Sequence, residues 1–592
     1  MKSRSFIFKT KYQIILLVFI ALGLNANTLF HDYALDDIVV LTENNYVKKG
    51  IKGIPEILTT DYIAGYSKQE NILTGARYRP FSLIIFALEY QFFGANPFVS
   101  HLINIILFAL LIYILYRFLK QVVFQGQHNL LAFITCLFFT VHPIHTEIIA
   151  NVKGRDEIIT SIFLILSLLT LVNYFENSAT KNLFASLIFF VLALLTKESA
   201  VTFLGVIPLV IYFFLNQTLK RSFVITIPYI LIFAGYMCLR YFIVGLNDHP
   251  VNDVTNSPYI YATTTESFAT KTYILFKYIS LLFFPFPLSS DYGYNQIPYI
   301  NLFSFPFIIS FLVLASLIFV AIADFKQRKM LSFCIFFFFI TISLGTNLII
   351  DLGTTMAERM LFIPSLAFSI LSAILIIQLF NYKKVLTYFL TGIISIVFSI
   401  KTIARNNAWK NNETLFLTDV KSSPDCARLN LYACEQLIIK ANNESDAEKR
   451  NMLLDQAIQY GKMSLQIHSE FAYSYLRLSI AYYHKGEFQK SAKLTETAQT
   501  IEPNDQDVKN WATLLSDFFY KEGNKFLDQQ KISTAINLYT EAVNLNANNS
   551  EAWYNIGGCY LLINDTTNGM KAWQKVRILE PNHKFDMTEF SK

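Results

Sequence analysis

Asp36 and Asp37 stand in the segment FHDYALDD, which begins as the apolar run 12–30 ends. A carboxylate beside a bilayer is costly unless it meets water or a partner, so such acids are functional candidates by default. The chemistry on offer is general-base catalysis: one carboxylate takes a proton from an acceptor hydroxyl while its neighbour holds geometry. A solvated loop acid, or the N-cap of a helix over 38–46, explains the same pair equally well. In RYRP, residues 77–80, Arg77 and Arg79 present guanidinium forks that bind phosphate in bidentate fashion. Snorkelling to lipid headgroups is the plainer alternative. HPIHTE, residues 142–147, spaces His142 and His145 three apart, with Glu147 two further on. That set could ligate a metal, but Pro143 disturbs the helix that would align it, so a hydrogen-bonded supporting role is favoured. NVKGRDE, residues 151–157, adds Lys153 and Arg155. Lys197-Glu198 interrupts the apolar stretch 183–215, and Glu358-Arg359 precedes another apolar run. Each of those pairs reads either as a ligand contact or as a tight polar turn.

The elements that must position these residues are membrane helices. The chain of 592 residues is 53% hydrophobic and only 16% charged, against roughly a quarter charged in soluble domains. Its mean hydropathy is +0.39. The net charge of +6 suits basic cytoplasmic loops and gives no nucleic-acid footprint. Apolar runs of roughly 17–25 residues predict about eleven spans. They lie near 12–30, 98–117, 129–142, 157–175, 183–197, 200–217, 222–245, 302–323, 330–350, 360–380 and 385–402. Segment 271–288, broken by Lys271, Lys277, Pro285 and Pro287, reads as a helix lying at the interface. Arg405 and Trp409, at the end of the last span, read as interfacial anchors.

Orientation follows from the basic loops. The N-terminus carries Lys2, Arg4, Lys9 and Lys11, and alternate loops carry Lys120, Lys181, Arg221, Arg328 and Lys384. These share one side if 271–288 does not cross, and that side is cytoplasmic. Asp36, the 142–157 loop, Lys197, Arg359 and the whole C-terminal region then lie on the opposite, extracytoplasmic side.

The long apolar runs stop after residue 402, which divides the chain into a membrane domain, 1–402, and a soluble helical domain, 403–592. In the second domain three units begin at Ala472, near Ser516 and at Ser550, and a degenerate one occupies 427–470. The last two units are about 34 residues apart, the tetratricopeptide period, with large residues on one helix opposed by small ones on the next. Such an array presents a concave surface to a polypeptide or partner protein and carries no chemistry of its own. Cys426 and Cys434 could pair only if the chain bends between them, because eight residues of straight helix span about 12 Å.

The order of motifs, from the acidic pair through RYRP, HPIHTEIIANVKGRDEI, LLTKESA and AERMLFIPS to the repeats, resembles the transmembrane and tetratricopeptide-repeat O-mannosyltransferases, as a bacterial-type relative. RYRPFSLIIFALEYQFFG also resembles the re-entrant segment of GT-C glycosyltransferases that use polyprenyl-phosphate donors. The resemblance implies an all-α fold, a polytopic helical bundle of GT-C type followed by a tetratricopeptide α-solenoid. It implies inverting transfer of mannose or another hexose from a polyprenyl-phosphate sugar to a hydroxyl of a polypeptide or glycan, at the extracytoplasmic face. Asp36 and Asp37 occupy the place of the catalytic acid. Arg77, Arg79, Lys153, Arg155 and Lys197 are the candidates for the donor phosphate. His142, His145, Glu147, Glu198, Glu358 and Arg359 are the supporting polar groups. No cofactor or divalent metal is expected, because fixed cations can stabilise a monophosphate leaving group. The expected setting is a bacterial inner membrane, or the endoplasmic reticulum if the chain is eukaryotic, with membrane lipid and protein partners of the repeats around it. Two other classes fit parts of the pattern: a non-catalytic membrane-anchored scaffold, and a transporter of lipid-linked sugars. A scaffold needs no acidic pair, and a transporter places ionisable groups near mid-membrane in duplicated halves.

Overall fold

The computed structural model describes residues 10–66, 77–126, 129–245, 253–381, 383–583 and 585. It is helical, with no strand among the described residues, and it divides into two units, Met1–Ser423 and Pro424–Lys592.

In the first unit six helices are long and apolar enough to cross a membrane: Thr10–Phe30, Pro97–Val123, Val152–Asn177, Leu219–Val244, Phe305–Phe325 and Lys384–Ala408. Asn129–Val141 and Pro143–Ala150 form a seventh element, bent by 54°. The bend falls at His142-Pro143. Nε2 of the buried His142 pairs with the Leu282 carbonyl at 3.0 Å, and its Nδ1 accepts the Ile144 N–H. The runs expected at 183–197, 200–217, 330–350 and 360–380 are helical but only 10–17 residues long. At 1.5 Å per residue they reach at most about 25 Å, short of a 30 Å hydrocarbon core.

The basic loops gather at one end of this unit. Lys120 Nζ donates to Thr10 Oγ1, Gln125 to the Phe214 carbonyl, and Arg328 to Asn216 and Gln217. A helix forms over Thr264–Phe283, starting before and ending short of the 271–288 segment expected to lie at the interface. It is tied to the opposite end through Lys271–Asp351, Tyr278 to the Ala357 N–H, and Leu282–His142.

At that opposite end the chain leaves the α-helix at Asn151 and passes through a 3-10 turn, Val152–Gly154, before the next helix. Asn104, buried on the Pro97–Phe118 helix, donates towards the carbonyls of Ile149, Asn151 and Val152, and its Oδ1 accepts from Arg155 Nε at 2.7 Å. The Arg155 guanidinium also pairs with Glu89 and donates to the Ser100 carbonyl at 3.0 Å. Gly154 is required in this turn, since a Cβ there would meet the Ile148 backbone. A satellite core containing Val40, Leu41, Phe86 and Val152 packs the first loop and the short Pro80–Phe93 helix onto the turn.

The membrane unit ends later than the apolar runs indicate. Lys384–Ala408 continues past residue 402, and Asn412–Ser422 is bound back to the bundle. Arg405 grips Asp419 with both terminal nitrogens, Asp419 accepts the Ser290 N–H at 2.6 Å, and Asn412 Oδ1 accepts the Leu35 N–H at 2.7 Å. Arg405 is thus buried in an ion pair and does not serve as an interfacial anchor.

The second unit is four helical hairpins: Ala427–Asn442 with Ala447–Ile467, Ala472–His484 with Phe488–Ile501, Gln506–Asp528 with Ile532–Leu545, and Ser550–Leu562 with Thr566–Leu579. The repeat expected near Ser516 starts at Gln506, where Asp505 caps the helix by accepting the Val508 N–H. The large-against-small pattern is direct: Cβ atoms at Gly523 and Gly557 would collide with the rings of Tyr539 and Trp573. Cys426 and Cys434 are both buried and are not joined in a disulfide.

Arg155→Ala is expected to destabilise the folded chain by about 3–5 kcal/mol, because Glu89 would remain buried and uncompensated. The double replacement Arg155→Met with Glu89→Leu should cost less than the single change. Thermal unfolding of the three proteins in detergent measures both.

Candidate active site

The two adjacent carboxylates have different surroundings. Leu35 takes a left-handed φ of 52°, an uncommon conformation for a branched residue. The twist turns Asp37 inward and Asp36 outward. Asp37 is fully buried and caps no helix; its Oδ2 accepts the Ala34 N–H at 3.1 Å and its Oδ1 the Lys153 N–H at 2.7 Å. It ties the first loop to the 3-10 turn, and Asn151 Nδ2 repeats the tie on the Ala34 carbonyl. Burial pushes the Asp37 carboxyl up to about 7, against those backbone hydrogen bonds. Asp36 is 42% exposed, and its Oδ2 pairs with Lys153 Nζ at 2.9 Å. Lys153 first, then Arg359 and Arg77, hold the Asp36 carboxyl well below the usual carboxylate range, although burial acts the other way.

Asp36 opens onto a small polar cavity, which Glu147, Lys153, Asp156, Glu157, Lys197 and Arg359 also line. Every lining cation is paired. Lys197 Nζ sits 3.2 Å from Asp156 and 2.7 Å from Glu157. Arg359 grips Glu147 through its guanidinium at 2.6 Å and its backbone N–H at 3.0 Å. Just beyond, Arg79 joins Asp156 at 3.3 Å and Glu198 at 2.6 Å, with its guanidinium 5.2 Å from the Tyr62 ring centre. The Arg77 guanidinium makes no ion pair among the described residues, and the residue is exposed.

Of the phosphate-binding candidates, Lys153 and Lys197 therefore line the cavity, Arg79 braces its wall and Arg77 stands open beside it. Arg155 does not belong with them: it is 1% exposed and its donors are consumed by Glu89, Asn104 and Ser100. Of the supporting groups, Glu147 and Arg359 are lining residues and Glu198 sits behind Arg79. His142 and His145 are buried pins, the second with Nε2 2.9 Å from Ser365 Oγ. Among the described residues no three His, Cys, Asp or Glu side chains form a metal-ligating group. Sequence reasoning missed Asp156 and Glu157 within GRDE, and it missed Glu89, Ser100 and Asn104. The signal for the last two was present, as polar residues four apart on an apolar helix lie on one face.

Glu358 lies behind Arg359, fully buried. Its Oε1 accepts the Ser289 N–H and the Tyr292 hydroxyl at 2.8 Å, so it fastens the 287–292 loop beneath the site. Burial raises its carboxyl from the ordinary 4.5 to about 8, against the nearby Arg405.

Six long apolar helices followed by helical hairpins mark a multi-pass membrane protein carrying a helical repeat domain. A family model described as dolichyl-phosphate-mannose-protein mannosyltransferase matches residues 79–243, from Arg79 through the 3-10 turn and Lys197. A TPR repeat model matches 523–562. Protein O-mannosyl-transferase TMTC3 of Homo sapiens is 24% identical over 97% of this chain and 68% of its own length. Protein O-mannosyl-transferase F38B6.6 of Caenorhabditis elegans is 24% identical over 71% of this chain and 59% of its own. Protein O-mannosyl-transferase TMTC1 of Homo sapiens is 26% identical over 67% and 50%, so the chain spans half to two thirds of these relatives. These matches support a membrane glycosyltransferase, and the chain is similar to the transmembrane and tetratricopeptide-repeat O-mannosyltransferases.

The raised folded-state value of Glu358 sets a sign for stability. The folded chain keeps a proton that the unfolded chain releases above 4.5, so this contribution is complete below 4.5 and is lost as pH rises through about 8. Glu358→Gln is expected to remove that part of the decline in melting temperature across the window. Glu358→Ala should lower the melting temperature at every pH, since it strands the Ser289 and Tyr292 donors. Melting curves of the purified variants between pH 4.5 and 8.5 test both statements.

Proposed function

We propose that this chain transfers mannose or another hexose from a polyprenyl-phosphate donor to the hydroxyl of a protein Ser or Thr, at the extracytoplasmic face of its membrane. Asp36 carries the reading: it is the member of the acidic pair that faces the cavity, ionised and among cations. In the reaction it takes the acceptor hydroxyl proton as that oxygen bonds to the sugar C1. The bond from C1 to the phosphate oxygen breaks, and its electron pair leaves with polyprenyl phosphate. Attack opposite the leaving group inverts C1. The leaving phosphate gains one negative charge, and Arg77, Arg79, Lys153, Lys197 and Arg359 are the cations at hand to stabilise it. The lining carboxylates are already neutralised by lysine or arginine, which supports a transfer that uses no metal.

The lipid tail is proposed to run along one helix face. Glu157, Ser161, Ile165 and Leu168 follow one face of the Arg155–Asn177 helix. Glu157 lines the polar cavity, and the other three line a small apolar cavity. That face descends about 16 Å from Glu157 to Leu168. The extracytoplasmic assignment rests on the positive-inside rule, with the basic loops at one end of the bundle and the site at the other.

The test is sugar transfer by the purified chain from labelled polyprenyl-phosphate mannose to a Ser/Thr peptide. Asp36→Asn should lower turnover by about 10²–10⁴-fold with little change in melting temperature. Asp37→Asn should lower the melting temperature, since it disrupts the tie between the first loop and the turn. Wild-type turnover in Asp36→Asn would refute the assignment of the base.

The repeats are proposed to select the acceptor polypeptide. Ending the chain at Ser423 is expected to preserve slow hydrolysis of the donor while reducing transfer to the native acceptor. Unchanged transfer to the full set of acceptors would assign the repeats to another partner.

A further inference from the structure

The resting site contains a contradiction that the proposed reaction must resolve. A carboxylate whose charge is bound to a lysine is a poor base, and a lysine bound to a carboxylate is a poor phosphate ligand. Lys153 Nζ lies 2.9 Å from Asp36 Oδ2, and both residues line the cavity that the donor phosphate must enter. The lining holds four carboxylates, Asp36, Glu147, Asp156 and Glu157, against three cations, Lys153, Lys197 and Arg359. Each of these cations is already engaged by a carboxylate, so a phosphate that added itself to this set without rearrangement would find no unpaired cation in the lining.

The two lysines differ in freedom. Lys197 is held by two carboxylates and is 8% exposed along its side chain. Lys153 has one carboxylate partner among the described residues, and its backbone is fixed independently by Asp37. Its side chain can therefore change partners while the turn that carries it stays in place. Asp36, at 42% exposure, is already turned towards the opening.

We propose that Lys153 is a donor-triggered latch: it holds Asp36 while the cavity is empty, and transfers its ammonium to the donor phosphate when the lipid-linked sugar binds, which releases Asp36 to act as the base. The latch rests on the donor chemistry proposed above. It makes donor binding the step that arms the site, so an acceptor hydroxyl arriving first meets a carboxylate still engaged by lysine. The depressed carboxyl of Asp36 in the resting state accords with this. Lys153 is thus a residue of two partners, positioning for the base in one state and a phosphate ligand in the other.

The test is a double-mutant cycle on binding of polyprenyl monophosphate, without turnover, to the full-length protein in detergent. If Asp36 and the phosphate compete for one ammonium, Asp36→Asn should tighten binding roughly five- to tenfold where Lys153 is present, and by less than about twofold in the Lys153→Gln background. Lys153→Arg should restore the larger effect. Binding unchanged or weakened by Asp36→Asn overturns the latch, and this arm does not depend on how Lys153→Gln folds. An equal tightening in both backgrounds also overturns it, because that is the result of removing a negative charge without competition. Failure of the wild-type chain to bind polyprenyl monophosphate at all would refute the donor assignment, and the latch with it. Binding with equal effects in both backgrounds would sink the latch alone.

Discussion

A guanidinium with no access to water must find a partner for each of its donors, and the site end of this protein is built around one such group. Arg155 is 1% exposed and is held by Glu89, by Asn104 and by the Ser100 carbonyl. Its partners come from the short Pro80–Phe93 helix and from the Pro97–Phe118 helix, so a single side chain fixes two elements against the start of a third. The same Asn104 supplies hydrogen bonds to the carbonyls in and beside the 3-10 turn. In a low-dielectric setting an unmade hydrogen bond there would cost several kcal/mol. The turn exists because this knot makes it affordable. Once it exists it presents the Lys153 N–H to Asp37 and the Lys153 ammonium to Asp36.

The helical bundle, the repeats and most of the lining residues were legible in the sequence because each rests on a local rule. Apolar length marks the long helices, the 34-residue period marks the repeats, and charge on the side where loop statistics disfavour it marks Lys153, Lys197 and Arg359. What sequence could not supply were facts about partners. Arg155 carries the same local signal as Lys153 two residues earlier, yet it points inward, because Glu89 lies 66 positions away in sequence and beside it in space. Asp36 and Asp37 are chemically identical neighbours, and what separates them is the left-handed turn at Leu35, which no residue propensity anticipates. The end of the membrane unit was misplaced for a related reason. Apolar composition stops at 402, but the Arg405–Asp419 pair binds a polar helix back to the bundle, and such pairing has no hydropathy signature.

The divergence of the two carboxylates shows how one dipeptide can serve two incompatible needs. A base must exchange protons with an incoming group, which requires exposure and a shape that can yield. A strut must not move, which requires burial and saturated hydrogen bonding. One carboxylate could not meet both demands, because the contacts that fix it also occupy its lone pairs. Asp37 spends both oxygens on backbone N–H groups from two separate segments. Asp36 keeps one oxygen on the Lys153 ammonium and is 42% exposed. Since Lys153 belongs to both arrangements, through its backbone to Asp37 and through its side chain to Asp36, the strut sets the distance over which the base and its lysine meet. Any displacement of Asp37 is therefore transmitted to Asp36 through the residue they share, while a change at Asp36 leaves the strut standing.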